Sequence, residues 1–176
     1  MNLSTPRLEL TPLSGGDRSF IFTLLNTRGW IENIGDRNIK SLADAAAYIQ
    51  KMQQMPQARF YVVSTQEDSL LIGLITLIKR DYLAFHDIGF AFLEQYHARG
   101  YGYEATAKVV ENFLKEADSE KIMGITLDSN HSSTRLLERL GLCLQEKINP
   151  EGTELLLYSG GRKEVLAAVT APSSKY

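Results

Sequence analysis

The stretch richest in potential chemistry is Phe90-Ala-Phe-Leu-Glu-Gln-Tyr-His-Ala-Arg-Gly-Tyr-Gly-Tyr-Glu-Ala105. It reads as a strand, a polar loop carrying Arg99, Gly100 and Gly102, and the opening of a helix. Glycines let a backbone turn with several N–H groups converging, and a new helix adds its unpaired N–H groups and the positive end of its dipole. Such a loop suits an anion, most naturally a pyrophosphate, with Arg99 as a local charge. Two other readings use the same residues. A Gly-x-Gly pair also makes a plain strand-to-helix turn. Gly100-Tyr-Gly102-Tyr-Glu-Ala105 further fits the dinucleotide-binding fingerprint, with Asp128 ending the next strand where a ribose-binding acid would sit. Against that fit, Glu94 to Arg99 separate the strand from Gly100, and too little chain follows for a doubly wound sheet.

Several elements must position this loop. Arg7 to Thr11 alternates polar and apolar residues as a half-buried strand does, and Phe20, Ile21, Leu24 and Leu25 follow at helical spacing in a helix ending near Gly29. Trp30 to Asn38 has no clear period and is a candidate binding loop. Ser41-Leu-Ala-Asp44 looks like a capped helix start, leading into Ala45, Ala46, Ile49 and Met52 and stopping before Pro56. Phe60–Ser64 and Leu70–Ile78 are β-branched and aromatic runs separated by a turn, which predicts an antiparallel hairpin, with a third strand from about Asp87 to Leu93. After the glycine loop, Thr106, Val109, Val110, Phe113, Leu114 and Ala117 form one helical stripe. Met123, Ile125 and Leu127 alternate as a strand, Leu136, Leu137 and Leu140 mark a helix ending at Gly141, and Thr153 to Tyr158 closes as a strand. The pattern predicts a mixed αβ (α+β) fold in one domain over residues 1–176, with 160–176 a frayed or peripheral tail.

Composition narrows the partners. The chain has 176 residues, 44% apolar and 23% charged, with a net charge of −2. A near-neutral chain creates no global field to attract nucleic acid or an anionic membrane. No apolar run approaches the roughly 20 residues of a membrane span, and Met1 to Pro6 does not resemble a signal peptide, so a cytoplasmic protein is expected. The single cysteine, Cys143, cannot form an internal disulfide; set between Leu142 and Leu144, it reads as a small core hydrophobe. No His, Asp or Glu pair has metal-ligand spacing, so no metal is expected.

The run Asp87–Ala105 resembles the acetyl-CoA-binding segment of the GNAT N-acetyltransferases. Asn130-His-Ser-Ser-Thr-Arg-Leu-Leu-Glu-Arg-Leu-Gly-Leu142 is similar to the segment that follows it in the RimJ/RimL-type branch. Thr5-Pro-Arg-Leu-Glu-Leu10 and Thr153-Glu-Leu-Leu-Leu-Tyr158 also resemble that branch, so the likeness spans about residues 3–159. It implies a GNAT-like fold: a central, mostly antiparallel twisted sheet of about six to seven strands flanked by helices, with one strand pair splayed at the acetyl-CoA site. Phe90, Ala91 and Phe92 would present strand groups to the pantetheine. Backbone N–H groups of Ala98, Arg99, Gly100, Tyr101, Gly102 and Tyr103 would hold the pyrophosphate, and Asn130 would touch the cofactor arm or order the site. His97 stands where the family has Gln or Arg, which puts that side-chain role in doubt.

The chemistry implied is direct attack of a neutral amine on the acetyl thioester, with no covalent nucleophile. Leu137 stands where many relatives carry a tyrosine acid, and Ile125 where some carry a glutamate base. Ser133 matches a serine of the branch and is the candidate thiol-facing donor or acid; a helix-start hydroxyl satisfying the backbone is its plain alternative. Asp87, His86 and Glu32 are the candidate bases. Asp87 ranks first, with a pKa raised by burial or as a binder of a cationic amine. The expected function is acetyl-CoA-dependent acetylation of a primary amine, either a protein N-terminus or a small molecule. The alternative is a non-catalytic acyl-CoA-binding or sensory module. Acetyl-CoA and an amine are the expected partners, with room for a homodimer.

Overall fold

The computed structural model of the chain describes residues 1–171. Two short strands, β1 (Leu3–Ser4) and β2 (Leu8–Pro12), open the chain. Three helices follow: α1 (Arg18–Leu25), α2 (Arg28–Asn33) and α3 (Leu42–Gln53). Then come β3 (Arg59–Thr65), β4 (Leu71–Ile78) and β5 (Asp87–Phe92), the helix α4 (Tyr101–Glu116), β6 (Lys121–Thr126) and α5 (His131–Arg139). The chain continues as β7 (Cys143–Ile148), β8 (Leu155–Gly161) and α6 (Arg162–Thr170). The strands form one eight-stranded sheet in the order β1-β2-β3-β4-β5-β6-β8-β7, antiparallel except between β5 and β6.

Strand alternation divides the core between the two faces of the sheet. Phe60, Val62 and Leu74 point to one side, where Phe20, Leu24, Trp30 and Ile49 of α1 to α3 cover them. Tyr61, Val63, Ile75, Leu77 and Ile88 point to the other, under Val109, Val110, Phe113 and Leu114 of α4 and Leu137 of α5. The apolar stripe seen in the α4 sequence is thus its buried face, with Thr106 also fully buried.

The feature that positions the site is the junction of β5 and β6. These parallel strands pair at a single register position, Asp87 with Met123, where the Met123 N–H donates to the His86 carbonyl at 2.9 Å. Beyond it the strands part. β5 stays paired with β4 along its whole length, and the Leu93 N–H donates to the Ile72 carbonyl at 2.9 Å. Backbone groups of successive strand residues point to opposite sides, so those of Phe90 and Phe92 face the gap while those of Ala91 pair with Leu74. Of the three strand residues expected at the cofactor, Phe90 and Phe92 thus turn backbone groups to the gap and Ala91 does not.

Other expectations are also corrected. The sheet has eight strands, because β1 and β7 are added to the six read from the sequence. The first helix stops at Leu25, and α2 occupies much of the stretch read as a loop. Cys143 is exposed, since β7 is the outer edge strand and covers no core. Residues 160–170 are not a loose tail: β8 runs to Gly161, and α6 packs on α4 with Val165 fully buried. Val165, Leu166 and Val169 supply an apolar face that the polar ends of the segment obscure. Residues 172–176 lie outside the described residues. Replacing Val165 by Ala should cost about 2 kcal/mol of unfolding free energy through lost burial and a residual cavity. Urea denaturation would show it, and an unchanged midpoint would mean that α6 does not dock.

Candidate active site

Both helices that follow the parted strands begin at the open end of the gap. After β5, Ala98 adopts φ +58° and Gly100 φ +80°, a left-handed conformation that glycine takes without steric cost. Gly100 is the N-cap of α4 and has no side chain to satisfy the helix. The first helical bond runs from the Glu104 N–H to the Gly100 carbonyl at 3.1 Å. The N–H groups of Tyr101, Gly102 and Tyr103 therefore precede the helical ladder and stay available, as an anion cradle needs. At Gly102 a Cβ would lie 3.3 Å from Leu136 Cδ1 and 3.8 Å from the Phe92 ring, so a side chain there would crowd the gap between α4 and α5. Arg99 is exposed, its guanidinium 5.6 Å from the Tyr96 ring centre.

His97 does not project as a free side chain. Its Nε2 donates to the Phe92 carbonyl at 2.9 Å, one of the backbone groups facing the gap. The departure from the family pattern is thus accommodated by a bond within the strand-loop junction.

Across the gap, Asn130 caps α5: its Oδ1 accepts from the Ser133 N–H at 3.1 Å. The cap therefore comes from Asn130 and not from the Ser133 hydroxyl. Ser133 is 8% exposed, and its hydroxyl has no hydrogen-bond partner among the described residues. A hydroxyl recruited by the backbone would show such a bond, so the helix-start reading of Ser133 finds no support in these contacts. Leu137 and Leu140, on the same helix, are core residues.

The candidate bases are not gathered around Ser133. His86 immediately precedes β5 and Asp87 opens it, and the two side chains point to opposite faces. His86 is on the α4 side, its ring 4.8 Å from Phe113 and its Nε2 bonded to the Gln57 carbonyl at 2.9 Å. Asp87 is 1% exposed and gripped by Arg80, with Nε to Oδ1 at 2.7 Å and Nη2 to Oδ2 at 3.4 Å. Burial pushes the Asp87 carboxyl above its ordinary value, and the Arg80 guanidinium pulls it only partly back. Burial likewise opposes the charge on Arg80, but the Asp87 carboxylate and, to a lesser degree, Tyr82 together hold the guanidinium above its usual value. The short two-pronged contact is the geometry of an ionised pair. Asp87 also sits at the closed end of the gap, and Met123 to Thr126 sets it about 10 Å along the strands from the turn before α5. Glu32 is tied to Arg28 at 2.6 Å on the surface of α2.

Sequence reasoning missed the partners that hold these groups. Arg80 lies seven residues before Asp87 across an irregular connection, with no helical or strand period to link them. Arg7 reaches the cradle from the turn between β1 and β2, 97 residues away from Glu104 in sequence. Asp128 is largely exposed and lies 3.6 Å from Lys147, so the ribose-acid reading finds no support. Among the described residues no group of His, Cys, Asp and Glu could hold a metal, and no helix is long and apolar enough to cross a membrane.

Residues 7–142 match the acetyltransferase (GNAT) domain family. The chain belongs to that family. Among curated proteins it is similar to the uncharacterized N-acetyltransferase YnaD of Bacillus subtilis, at 25% identity over 157 residues covering 88% of this chain and 91% of YnaD. Its fold is shared with RimL, a ribosomal L7/L12 alpha-N-protein acetyltransferase solved with coenzyme A, at a TM-score of 0.79, 13% identity and coverage of 90% and 97%. A spermidine N-acetyltransferase SpeG chimera from Vibrio cholerae superposes with a TM-score of 0.76 at 18% identity, covering 90% of this chain and 98% of that one. The mostly antiparallel sheet and the family match together overturn the dinucleotide reading of the glycine loop.

The Arg80–Asp87 pair makes an asymmetric prediction. Arg80→Met leaves a carboxylate buried without its partner and should cost about 3 kcal/mol, whereas Asp87→Asn leaves Arg80, 34% exposed, reachable by water and should cost less. In Arg80→Met the folded Asp87 binds its proton more tightly than the unfolded chain does. Stability should then fall as pH rises above the unfolded carboxylate range, and by more than in the wild-type protein, where burial already raises Asp87 against the pull of Arg80. Equal losses in the two variants, or a flat pH profile for Arg80→Met, would contradict the buried-pair account.

Proposed function

We propose that the protein is an acetyl-CoA-dependent N-acetyltransferase that passes acetyl directly to a primary amine. The observation that carries this reading is the parting of β5 and β6, with Phe90 and Phe92 backbone groups facing the opening and unladdered N–H groups of α4 at its mouth. These groups fit coenzyme A. Strand N–H and C=O groups match the amides of a pantetheine arm, and converging N–H groups match a diphosphate. The coenzyme would supply a thioester whose carbonyl carbon is open to attack by an amine.

This chain's residues then have separable tasks. Tyr101, Gly102 and Tyr103 N–H groups hold the diphosphate, and Asn130 fixes the start of α5. Ser133 has an uncommitted hydroxyl, suited to donate to the departing thiolate as the new C–N bond forms and the C–S bond breaks. A hydroxyl is a weak acid, so its contribution is modest. Asp87 serves through its ion pair, as an electrostatic and structural support at the closed end of the gap. The amine proton then leaves through water or through a residue of the acceptor side.

The resemblance of residues 130–142 to the RimJ/RimL branch favours a peptide N-terminus as acceptor, whereas the SpeG superposition keeps a small polyamine in view. Release of free coenzyme A from acetyl-CoA, measured over a panel of peptides and small amines, should depend on the amine. Thermal stabilisation by coenzyme A without turnover on any amine would instead favour a binding or sensory module. Ser133→Ala should lower kcat about tenfold with little change in the KM for acetyl-CoA. An unaltered kcat would remove Ser133 from the chemistry.

A further inference from the structure

The Thr5-Pro-Arg-Leu segment has no part in the reaction described so far, yet it is bonded to the mouth of the cradle. Glu104, in the first turn of α4, has both carboxylate oxygens taken up by this segment. Oε1 accepts from Thr5 Oγ1 at 2.6 Å and from the Arg7 N–H at 3.2 Å. Oε2 is held by the Arg7 guanidinium, Nε at 2.7 Å and Nη2 at 2.6 Å. The remaining arm, Nη1, donates to the Arg99 carbonyl at 3.1 Å, and the guanidinium lies 4.6 Å from the Tyr101 ring centre. A Cβ on Gly100 would stand 3.3 Å from Arg7 Nη2. One side chain therefore touches the loop, the helix cap and the first helical turn.

The electrostatics give this arrangement a purpose. A carboxylate in the first turn of a helix is attracted by the same positive end that an anionic ligand would use, and it repels that ligand. The pairing with Arg7 neutralises it, and three donors from Arg7 with the Thr5 hydroxyl fix its direction. The bond to the Arg99 carbonyl also acts on the next N–H. Among the described residues all peptide bonds are trans, so a carbonyl turned toward Arg7 sends the Gly100 N–H of the same peptide unit the opposite way, free of Arg7.

We propose that Arg7 is a positioning residue of the diphosphate cradle, neutralising Glu104 and orienting the Arg99–Gly100 peptide so that a diphosphate meets N–H groups and no unpaired carboxylate. The inference rests on the coenzyme A reading of the cradle. It follows that the cost of losing Arg7 depends on Glu104 and on the charge of the ligand.

The test uses titration calorimetry with coenzyme A, and steady-state kinetics with acetyl-CoA and with S-acetylpantetheine, which lacks the diphosphate. Arg7→Met should weaken coenzyme A binding about tenfold, and Arg7→Met/Glu104→Gln should recover most of that loss. Arg7→Lys keeps the charge but not the fork and should fall between. The KM for acetyl-CoA should rise in Arg7→Met with kcat nearly unchanged, while the KM for S-acetylpantetheine stays within about twofold of wild type. Wild-type affinity in Arg7→Met would overturn the proposal. So would a double variant as weak as Arg7→Met, or equal losses with both acyl donors, since either marks a purely structural contact. A wild-type chain that binds no coenzyme A would overturn the cofactor reading itself, and the proposal with it.

Discussion

A parallel strand pair held by one register position is the constraint on which the rest of this structure depends. Had β5 and β6 stayed paired, their backbone groups would satisfy one another and the sheet would be closed. Here pairing ends just past Asp87 and Met123, and Phe90 and Phe92 turn N–H and C=O groups that β6 does not pair into the opening. Such groups are stable only with a partner or with water. His97 answers one of them, the Phe92 carbonyl, from within the chain. The others form a ready edge for a ligand that carries amides.

The two helices that follow the parted strands make the opening useful. Each begins at the same end of the gap, and each leaves a group uncommitted. On α4 the cap residue is a glycine in a left-handed conformation, so no side chain claims the first N–H groups. On α5 the cap is Asn130, which takes the Ser133 N–H and leaves the Ser133 hydroxyl without a partner. An anionic ligand can be held this way by a chain of net charge −2, because its binding charge comes from oriented peptide groups and not from a surplus of lysine and arginine. The closed end is secured differently, by the buried Asp87 and its Arg80 partner.

Legibility in the sequence followed the range of the interaction. The glycine loop and the α4 stripe are local patterns, and both were readable within about twenty residues. The family likeness carried the strand splay, which no periodicity shows. What escaped was either long-range or two-sided. Cys143 sits between leucines and looks internal, but burial of β7 depends on which edge of the sheet it occupies. Asp87 looked available as a base because its partner lies across an irregular connection. Backbone pairing removed Ala91 from the gap, a consequence of register with β4 that alternation alone does not reveal. The bonds from Thr5 and Arg7 to Glu104 join segments that nothing in the chain's local pattern connects.

The central claim is that the gap between β5 and β6 receives coenzyme A through backbone groups. Residue-resolved hydrogen exchange with and without coenzyme A tests it most directly. The account predicts slowed exchange at the amides of Phe90 and Phe92 and of Tyr101 to Tyr103, with β7 on the far edge of the sheet unchanged. Coenzyme A bound in calorimetry without added protection at those amides would contradict it.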